Sequence, residues 1–81
     1  MRAPESKKLA VAKRINAAID RGAVYGEVDG QLRRIFDVKY SRRTGRLVAH
    51  VTAGSDMAWV TFTGHIENDR GDLVATAEEA T

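Results

Sequence analysis

The residues best suited to chemistry in this 81-residue chain are cations grouped between positions 33 and 46. The group consists of Arg33, Arg34, Lys39, Arg42, Arg43 and Arg46. Arginine presents a planar fork of N–H donors that matches phosphate in bidentate fashion, so a basic hairpin here can follow a phosphate backbone. Tyr40 adds a ring for stacking on a base. The alternative interpretation is a solvated hairpin whose charges protect a sheet edge from aggregation.

Trp59 is the second candidate for contact with a partner. It alternates with Thr61, Thr63 and His65 along one face of a predicted strand. If a helix covers the opposite side, which carries Phe62, then Trp59 is exposed, and an exposed tryptophan is a frequent anchor of interfaces. The alternative is that Trp59 itself packs on the helix.

Candidates for catalysis or metal binding are few. His50 and His65 lie on neighbouring predicted strands near Asp56 and Glu67, but their spacing matches no metal motif. Ser55 beside Asp56 lacks the strand–turn–helix context of a nucleophile elbow, so both are interpreted as turn formers. The absence of cysteine excludes disulfides, iron–sulfur clusters and thiol nucleophiles. We therefore predict no catalytic residue, no metal and no cofactor.

An amphipathic helix is predicted over residues 5–21, ahead of the segments that carry these candidates. Its apolar stripe consists of Val11, Ala12, Ile15, Ala18 and Ile19. Pro4 or Ser6 is suited to open the helix, and Gly22 is suited to end it.

The hydrophobic period then changes to two, which predicts strands over about residues 23–28, 31–40, 47–52 and 57–66, with a short fifth at 73–76. Asp29 and Gly30 give a two-residue hairpin signal. Residues 41–46 and 53–56 form further turns, and residues 77–81 are expected to be a frayed tail.

Alternation assigns faces to two of these strands. On the second, Leu32, Phe36, Val38 and Tyr40 share one face, and Arg33, Ile35, Asp37 and Lys39 share the other. On the fourth, Ala58, Val60, Phe62, Gly64 and Ile66 share the face expected to meet the helix. Short connections favour sequential antiparallel pairing. The predicted fold is α+β: one domain over residues 1–81, with the N-terminal helix packed on one face of a four- to five-stranded antiparallel meander.

Charge is unevenly distributed along the chain, although the net charge is only +2. Residues 1–50 hold 12 of the 13 Lys and Arg residues, whereas residues 51–81 hold 6 of the 11 Asp and Glu residues. If the acidic part lay beside the cations, it would repel phosphate. No segment is apolar over the roughly 18 residues that a membrane span requires. We expect a complete small cytoplasmic protein without a signal peptide or membrane partner.

These observations favour a binding function over catalysis. The leading hypothesis is a small interaction protein that docks on a protein or nucleoprotein through the Arg-rich hairpin and exposed sheet face. By analogy of kind alone, small proteins that phages and mobile elements use to inhibit bacterial defence nucleases, such as anti-CRISPR proteins, share this size and class. The alternative hypothesis is nucleic-acid binding by the basic hairpin, and the third is a small ribonuclease-like toxin. A thin core and a free sheet edge leave a homodimer open.

Overall fold

The computed structural model describes the backbone of residues 3–80 and the side chains of residues 6–76, 78 and 79. A long helix precedes six strands and a final turn of helix. The elements are α1 (Ala3–Arg21), β1 (Val24–Val28), β2 (Gln31–Ser41), β3 (Arg46–Ala53), β4 (Asp56–Thr61), β5 (Ile66–Asn68), β6 (Leu73–Ala75) and α2 (Ala77–Ala80). The predicted α+β fold is confirmed, with six strands in place of four or five.

The helix α1 uses the predicted apolar stripe to cover the sheet. Val11, Ala12 and Ile15 are buried, and Ala18 and Ile19 pack against the same core. The helix begins two residues before the predicted start, which places Pro4 in the first turn, where a missing N–H costs nothing. The burial of this stripe confirms that α1 shields one side of the sheet.

The strands form one antiparallel sheet in the order β4-β3-β2-β1-β5-β6. The first four strands follow one another as a meander, as the short connections predict. The chain then departs from that prediction, because β5 pairs with β1 at the other side of the sheet. The predicted strand over residues 57–66 is therefore two strands, with residues 62–65 connecting them.

This connection requires a strongly curled sheet. In a flat sheet β4 and β5 would lie four strand spacings apart, or about 19 Å. The five residue steps from Thr61 to Ile66 span at most about 18 Å, even fully extended. Curling brings residues 62–65 beside β1, where the Thr63 and Gly64 N–H groups donate to the Glu27 carbonyl at 2.9 and 3.2 Å. The sheet thus has a concave side, which is filled by the core, and a convex side, which faces solvent.

Phe62 lies at the bend between β4 and β5 and fills the concave side. It is 2% exposed, and a glycine in β1 makes room for its ring. A Cβ atom at Gly26 would lie 3.2 Å from two ring carbons of Phe62 and 2.5 Å from Cδ1 of Ile35. Together with Gly64 and Ile66, which are also buried, Phe62 keeps the predicted face of this segment turned toward the core.

The predicted faces of β2 are wrong, because the strand contains a bulge. Ile35 pairs with Val51 and Asp37 pairs with His50, which leaves Phe36 as the additional residue. Ile35 and Val38 are consequently both buried, at 1% and 3% exposure. Strict alternation assigns these two residues to opposite faces, but a bulge changes the side on which every preceding residue lies. Leu32 and Phe36 therefore lie exposed on the convex side.

An asparagine of α1 satisfies the free edge of β2 beyond the bulge. The pairing of β1 with β2 ends at Val24 and Ile35, so the later part of β2 has no strand on that edge. Asn16 takes its place: Nδ2 donates to the Val38 carbonyl at 2.9 Å, and Oδ1 accepts from the Val38 N–H at 3.1 Å. The helix is thus held to the sheet by hydrogen bonds as well as by apolar packing.

Residues 77–80 form α2 instead of the expected frayed tail, and Thr81 lies outside the described residues. Thr76 and Glu79 make a capping box, in which the Glu79 N–H donates to Thr76 Oγ1 and the Thr76 N–H donates to Glu79 Oε1. Arg14 of α1 donates to Glu79 Oε1 at 2.7 Å and to the Val74 carbonyl at 3.0 Å. The Thr-x-x-Glu spacing is a sequence signal for this helix start.

Replacement of Glu79 by glutamine is expected to reduce the acid sensitivity of the fold. The Thr76 backbone hydrogen bond is the main cause that holds the pKa of Glu79 below its ordinary value of 4.5; desolvation opposes it, and Arg14 adds to the lowering. A carboxyl with a lowered folded pKa contributes stability above its unfolded pKa, and this is lost as the pH falls through the folded value.

Urea denaturation at pH 6 and pH 3 tests this expectation. The free energy of unfolding of the wild type should fall by more than that of E79Q between these two pH values. The difference is at most about 1 kcal/mol, because the ion pair is exposed to solvent. Glu78 on the same helix provides the control, and E78Q should behave as the wild type. An equal fall in E79Q and the wild type contradicts the assignment.

Candidate partner-binding surface

The convex side of β2, β3 and β4 carries a group of exposed apolar and cationic side chains, which we call the outer face. It consists of Leu32, Arg34, Phe36, Lys39, His50, Met57 and Trp59. Four of these are large apolar residues with exposures from 40% for Trp59 to 56% for Leu32. The residues between them on β3, such as Ala49 and Val51, are buried toward α1. Trp59 therefore lies on the side away from the helix.

Three side chains from three strands meet at Trp59. The pairing of β3 with β4 places His50 directly opposite Trp59, and their rings stack with centroids 4.5 Å apart and an interplanar angle of 7°. From β2, Lys39 Nζ lies over the indole, 4.2 Å from its centroid. A cation over an exposed aromatic ring contributes about 0.5–1 kcal/mol. These contacts hold the indole in one orientation on the surface.

A second pairing of cation and ring lies on β2 itself. The Arg34 guanidinium carbon is 5.2 Å from the ring centroid of Phe36. Arg34 and Phe36 are two residues apart and therefore share a face of the strand, and the bulge places that face on the convex side. Both exposed aromatic rings of β2 and β4 therefore carry a cation.

The hairpin tip between β2 and β3, residues 42–46, adds three exposed arginines: Arg42, Arg43 and Arg46. Gly45 adopts a φ of 72° and donates its N–H to the Ser41 carbonyl at 2.7 Å, which closes the turn. Lys8 Nζ donates to the Gly45 carbonyl at 3.0 Å and holds the tip against the start of α1. Within the described residues, no carboxylate forms an ion pair with these three arginines.

The acidic turn between β5 and β6 lies at the other end of α1 from the hairpin tip. Lys8 contacts the hairpin tip, whereas a Cβ at Gly22 would lie 3.8 Å from Asp69 in the turn between β5 and β6. Fourteen residues of helix separate these contacts by about 21 Å. The Debye length at physiological ionic strength is about 8 Å, so charges at that turn have little effect at the tip. The hairpin tip is therefore separated from the acidic turn at Asp69, whereas Arg14 in the middle of α1 pairs directly with Glu79.

The structure divides the eight partner-binding candidates among four places. Arg34, Lys39 and Trp59 lie on the outer face, and Arg42, Arg43 and Arg46 lie at the hairpin tip. Arg33 lies apart from both, because its guanidinium donates to the Thr52 carbonyl and to Gln31 Oε1. Tyr40 is half-buried and packs against the core, so it is not an open ring for stacking.

Four residues of the outer face are not among the candidates that the sequence predicts: Leu32, Phe36, His50 and Met57. Alternation places Phe36 on the same face as Val38, since nothing in the sequence of β2 marks the bulge. The sequence offers His50 as a candidate metal ligand with His65, which lies exposed at the bend after β4, and not as a partner-binding residue. The short turn at Gly54 and Ser55 sets the register that places His50 opposite Trp59. The position of this turn in the sequence was therefore the signal from which the pairing of His50 with Trp59 could have been predicted.

Among the described residues, no metal-binding group and no groove forms a second candidate functional site. No three of their His, Asp and Glu side chains are grouped in a way that could hold a metal ion. An open groove of about 610 Å³ lies beside the end of α1, lined by residues including Arg14, Arg21, Arg70 and Leu73. Arg14 in this groove is already bound by Glu79 and the Val74 carbonyl.

Comparison with protein-family models, curated proteins and solved structures found no match to this chain. In the part of the chain that the structure describes, no helix is both long and apolar enough to cross a membrane. The geometry and charge of the outer face and the hairpin tip are therefore the features that bear on function.

Proposed function

We propose that the protein is a non-catalytic binding module that docks on an anionic macromolecular partner through the outer face and the hairpin tip. The observation that carries this proposal is the alignment of cations along β2. Arg34 and Lys39 lie on exposed aromatic rings, and β2 continues into a tip with three arginines that have no carboxylate partner among the described residues. Of the acidic residues in the C-terminal part, Asp69 lies near the far end of α1, about 21 Å along the helix from the residue that contacts this tip.

The shape of the surface supports binding over catalysis. General acids, bases and nucleophiles act most effectively in clefts that exclude water and perturb their protonation. The outer face is convex, and its histidine is stacked on Trp59. Arginine, methionine and aromatic side chains are instead the residues enriched at recognition surfaces. A small accessory or inhibitory protein that occupies the surface of a nucleoprotein suits these features.

Reversal of two charges at the tip tests the proposal. The R42E/R43E variant should bind fluorescein-labelled heparin, a soluble polyanion, at least about tenfold more weakly than the wild type, because two anion contacts become repulsive. Fluorescence anisotropy at 50 mM salt measures the affinity. Circular dichroism checks that the exposed tip tolerates the substitutions.

The control is R21E/R70E, which makes the same change in net charge with two exposed arginines at the other end of α1. Its affinity for heparin should remain within about threefold of the wild type, since these sites lie beyond a Debye length from the tip. Equal losses in the two variants would show that binding follows net charge alone, and would refute the proposed surface. The absence of wild-type binding would refute it as well.

A further inference from the structure

We infer that the anionic partner is a single strand of nucleic acid, whose bases stack on Phe36 and Trp59 while the neighbouring cations contact its phosphates. This inference rests on the proposed function and adds the chemical class of the ligand. It uses two features of the outer face that a simple polyanion surface does not need: exposed aromatic rings, and a cation placed on each of them.

The arrangement of charge favours nucleic acid over a protein partner. Protein interfaces are enriched in arginine and aromatic residues but depleted of lysine. Here Lys39 lies on Trp59 in the middle of the surface, and Arg34 lies on Phe36. A single strand offers a flat ring and a phosphate in every nucleotide, so Arg34 and Lys39 move from the ring faces to phosphates while bases replace them on the rings, and His50 keeps its place on Trp59.

One carboxylate, Asp37 of β2, lies among the residues of the outer face. It is exposed and pairs with His50, and its Oδ1 accepts a hydrogen bond from the Val38 N–H at 2.8 Å. The other carboxylates on the convex side, Glu27 and Glu67, belong to β1 and β5. The single charge of Asp37 is outnumbered by Arg34 and Lys39 on the same strand and by the three arginines of the hairpin tip, so β2 and the tip keep a net positive charge.

The spacing of the rings favours a single strand over a duplex. Phe36 and Trp59 lie two strands apart, on β2 and β4, which corresponds to about 10 Å across the sheet. Bases on these rings would be separated by about three stacked nucleotides at about 3.4 Å each. A duplex keeps its base faces covered by stacking, whereas a single strand exposes them to aromatic side chains. The two rings and the hairpin tip together can therefore contact an oligonucleotide of the length that single-strand-binding domains usually cover.

The five cations of the surface set the expected salt dependence. Arg34, Lys39, Arg42, Arg43 and Arg46 are each available for one phosphate. Five contacts to a single strand give a slope of about −3.5 for the logarithm of affinity against the logarithm of salt concentration. The affinity should therefore fall about 100-fold between 50 and 200 mM salt. In R42A/R43A, which retains three contacts, the slope should be about −2.

The deciding experiment measures binding of a fluorescein-labelled 15-mer of thymidine by anisotropy, together with quenching of Trp59, the sole tryptophan of the chain. F36L, which removes the ring but keeps an apolar side chain, should weaken binding about tenfold without changing the salt slope. F36W should restore it. L73A is the control, because Leu73 is an exposed apolar residue on β6, away from the outer face.

The outcomes separate the inference from the proposed function. Tight binding of the single strand with Trp59 quenching, weakened in F36L but unchanged in L73A, supports the inference. Equal affinity for a 15-base-pair duplex, or no effect of F36L on binding, overturns the inference. The proposed anion-binding surface is then tested separately by the affinity of R42E/R43E for heparin. Binding of heparin but not of the thymidine 15-mer also overturns the inference alone. Failure to bind either probe overturns both.

Discussion

Replacement of Phe62 by alanine is expected to remove about 3–5 kcal/mol from the free energy of unfolding, the usual cost of deleting a buried phenyl ring. A chain of this length has a total stability of only about 4–12 kcal/mol, so the variant should lose a large fraction of its stability. Phe62 is 2% exposed and lies where the chain passes from β4 to β5. Its loss removes the ring that fills the curled sheet opposite Gly26.

The chain provides a matched control for this prediction, because it has only two phenylalanines and the other is exposed. The same substitution at Phe36 should cost about 1 kcal/mol or less, mainly through the lost contact with Arg34. Urea denaturation monitored by circular dichroism measures both variants. Similar losses at the two positions would show that the bend is not closed by Phe62.

Replacement of Asn16 by leucine is expected to destabilise the protein by about 2 kcal/mol or more, because each buried group left without a partner costs about 1–3 kcal/mol. The variant leaves the Val38 carbonyl without its donor from α1 and deprives the Val38 N–H of one acceptor. The lost acceptor for the Val38 N–H contributes the smaller part of this destabilisation, since Asp37 Oδ1 also accepts a hydrogen bond from that N–H.

The aspartate variant separates hydrogen bonding from packing at this position. N16D keeps the size of the side chain and an acceptor for the Val38 N–H, but it places a carboxylate oxygen against the Val38 carbonyl. We expect a loss at least as large as that of N16L, measured by the shift of the urea midpoint. K13L on the exposed side of α1 should change stability by less than about 0.5 kcal/mol. A neutral effect in N16D would contradict the assigned role of the amide.

Much of the fold could be predicted from local pattern. The helical stripe around Ile15 and the positive φ angles at Asp29 and Gly30 follow from residue types within one element. The inward face of the segment around Phe62 follows from simple alternation. These features depend on neighbours along the chain, so a single sequence contains the information that sets them.

Part of the candidate site could not be predicted in this way. The sequence identified Trp59 and the tip arginines, because exposed aromatic and cationic residues are conspicuous by type. Alternation places Phe36 and Tyr40 on one face of β2, whereas the structure exposes Phe36 and packs Tyr40 against the core. A bulge is a property of two paired strands, so the alternation within β2 carries no record of it.

The sequence alone determined the amphipathic helix, the run of antiparallel strands and the concentration of arginines at one turn, since each follows from residues close together in the chain. Tertiary structure decided how these parts face one another. The curl that brings β5 beside β1 and the bulge that exposes Phe36 depend on contacts between distant segments. So does the separation of the hairpin tip from the acidic turn at Asp69 along α1. Long-range pairing and packing set such contacts, and local residue pattern does not encode them.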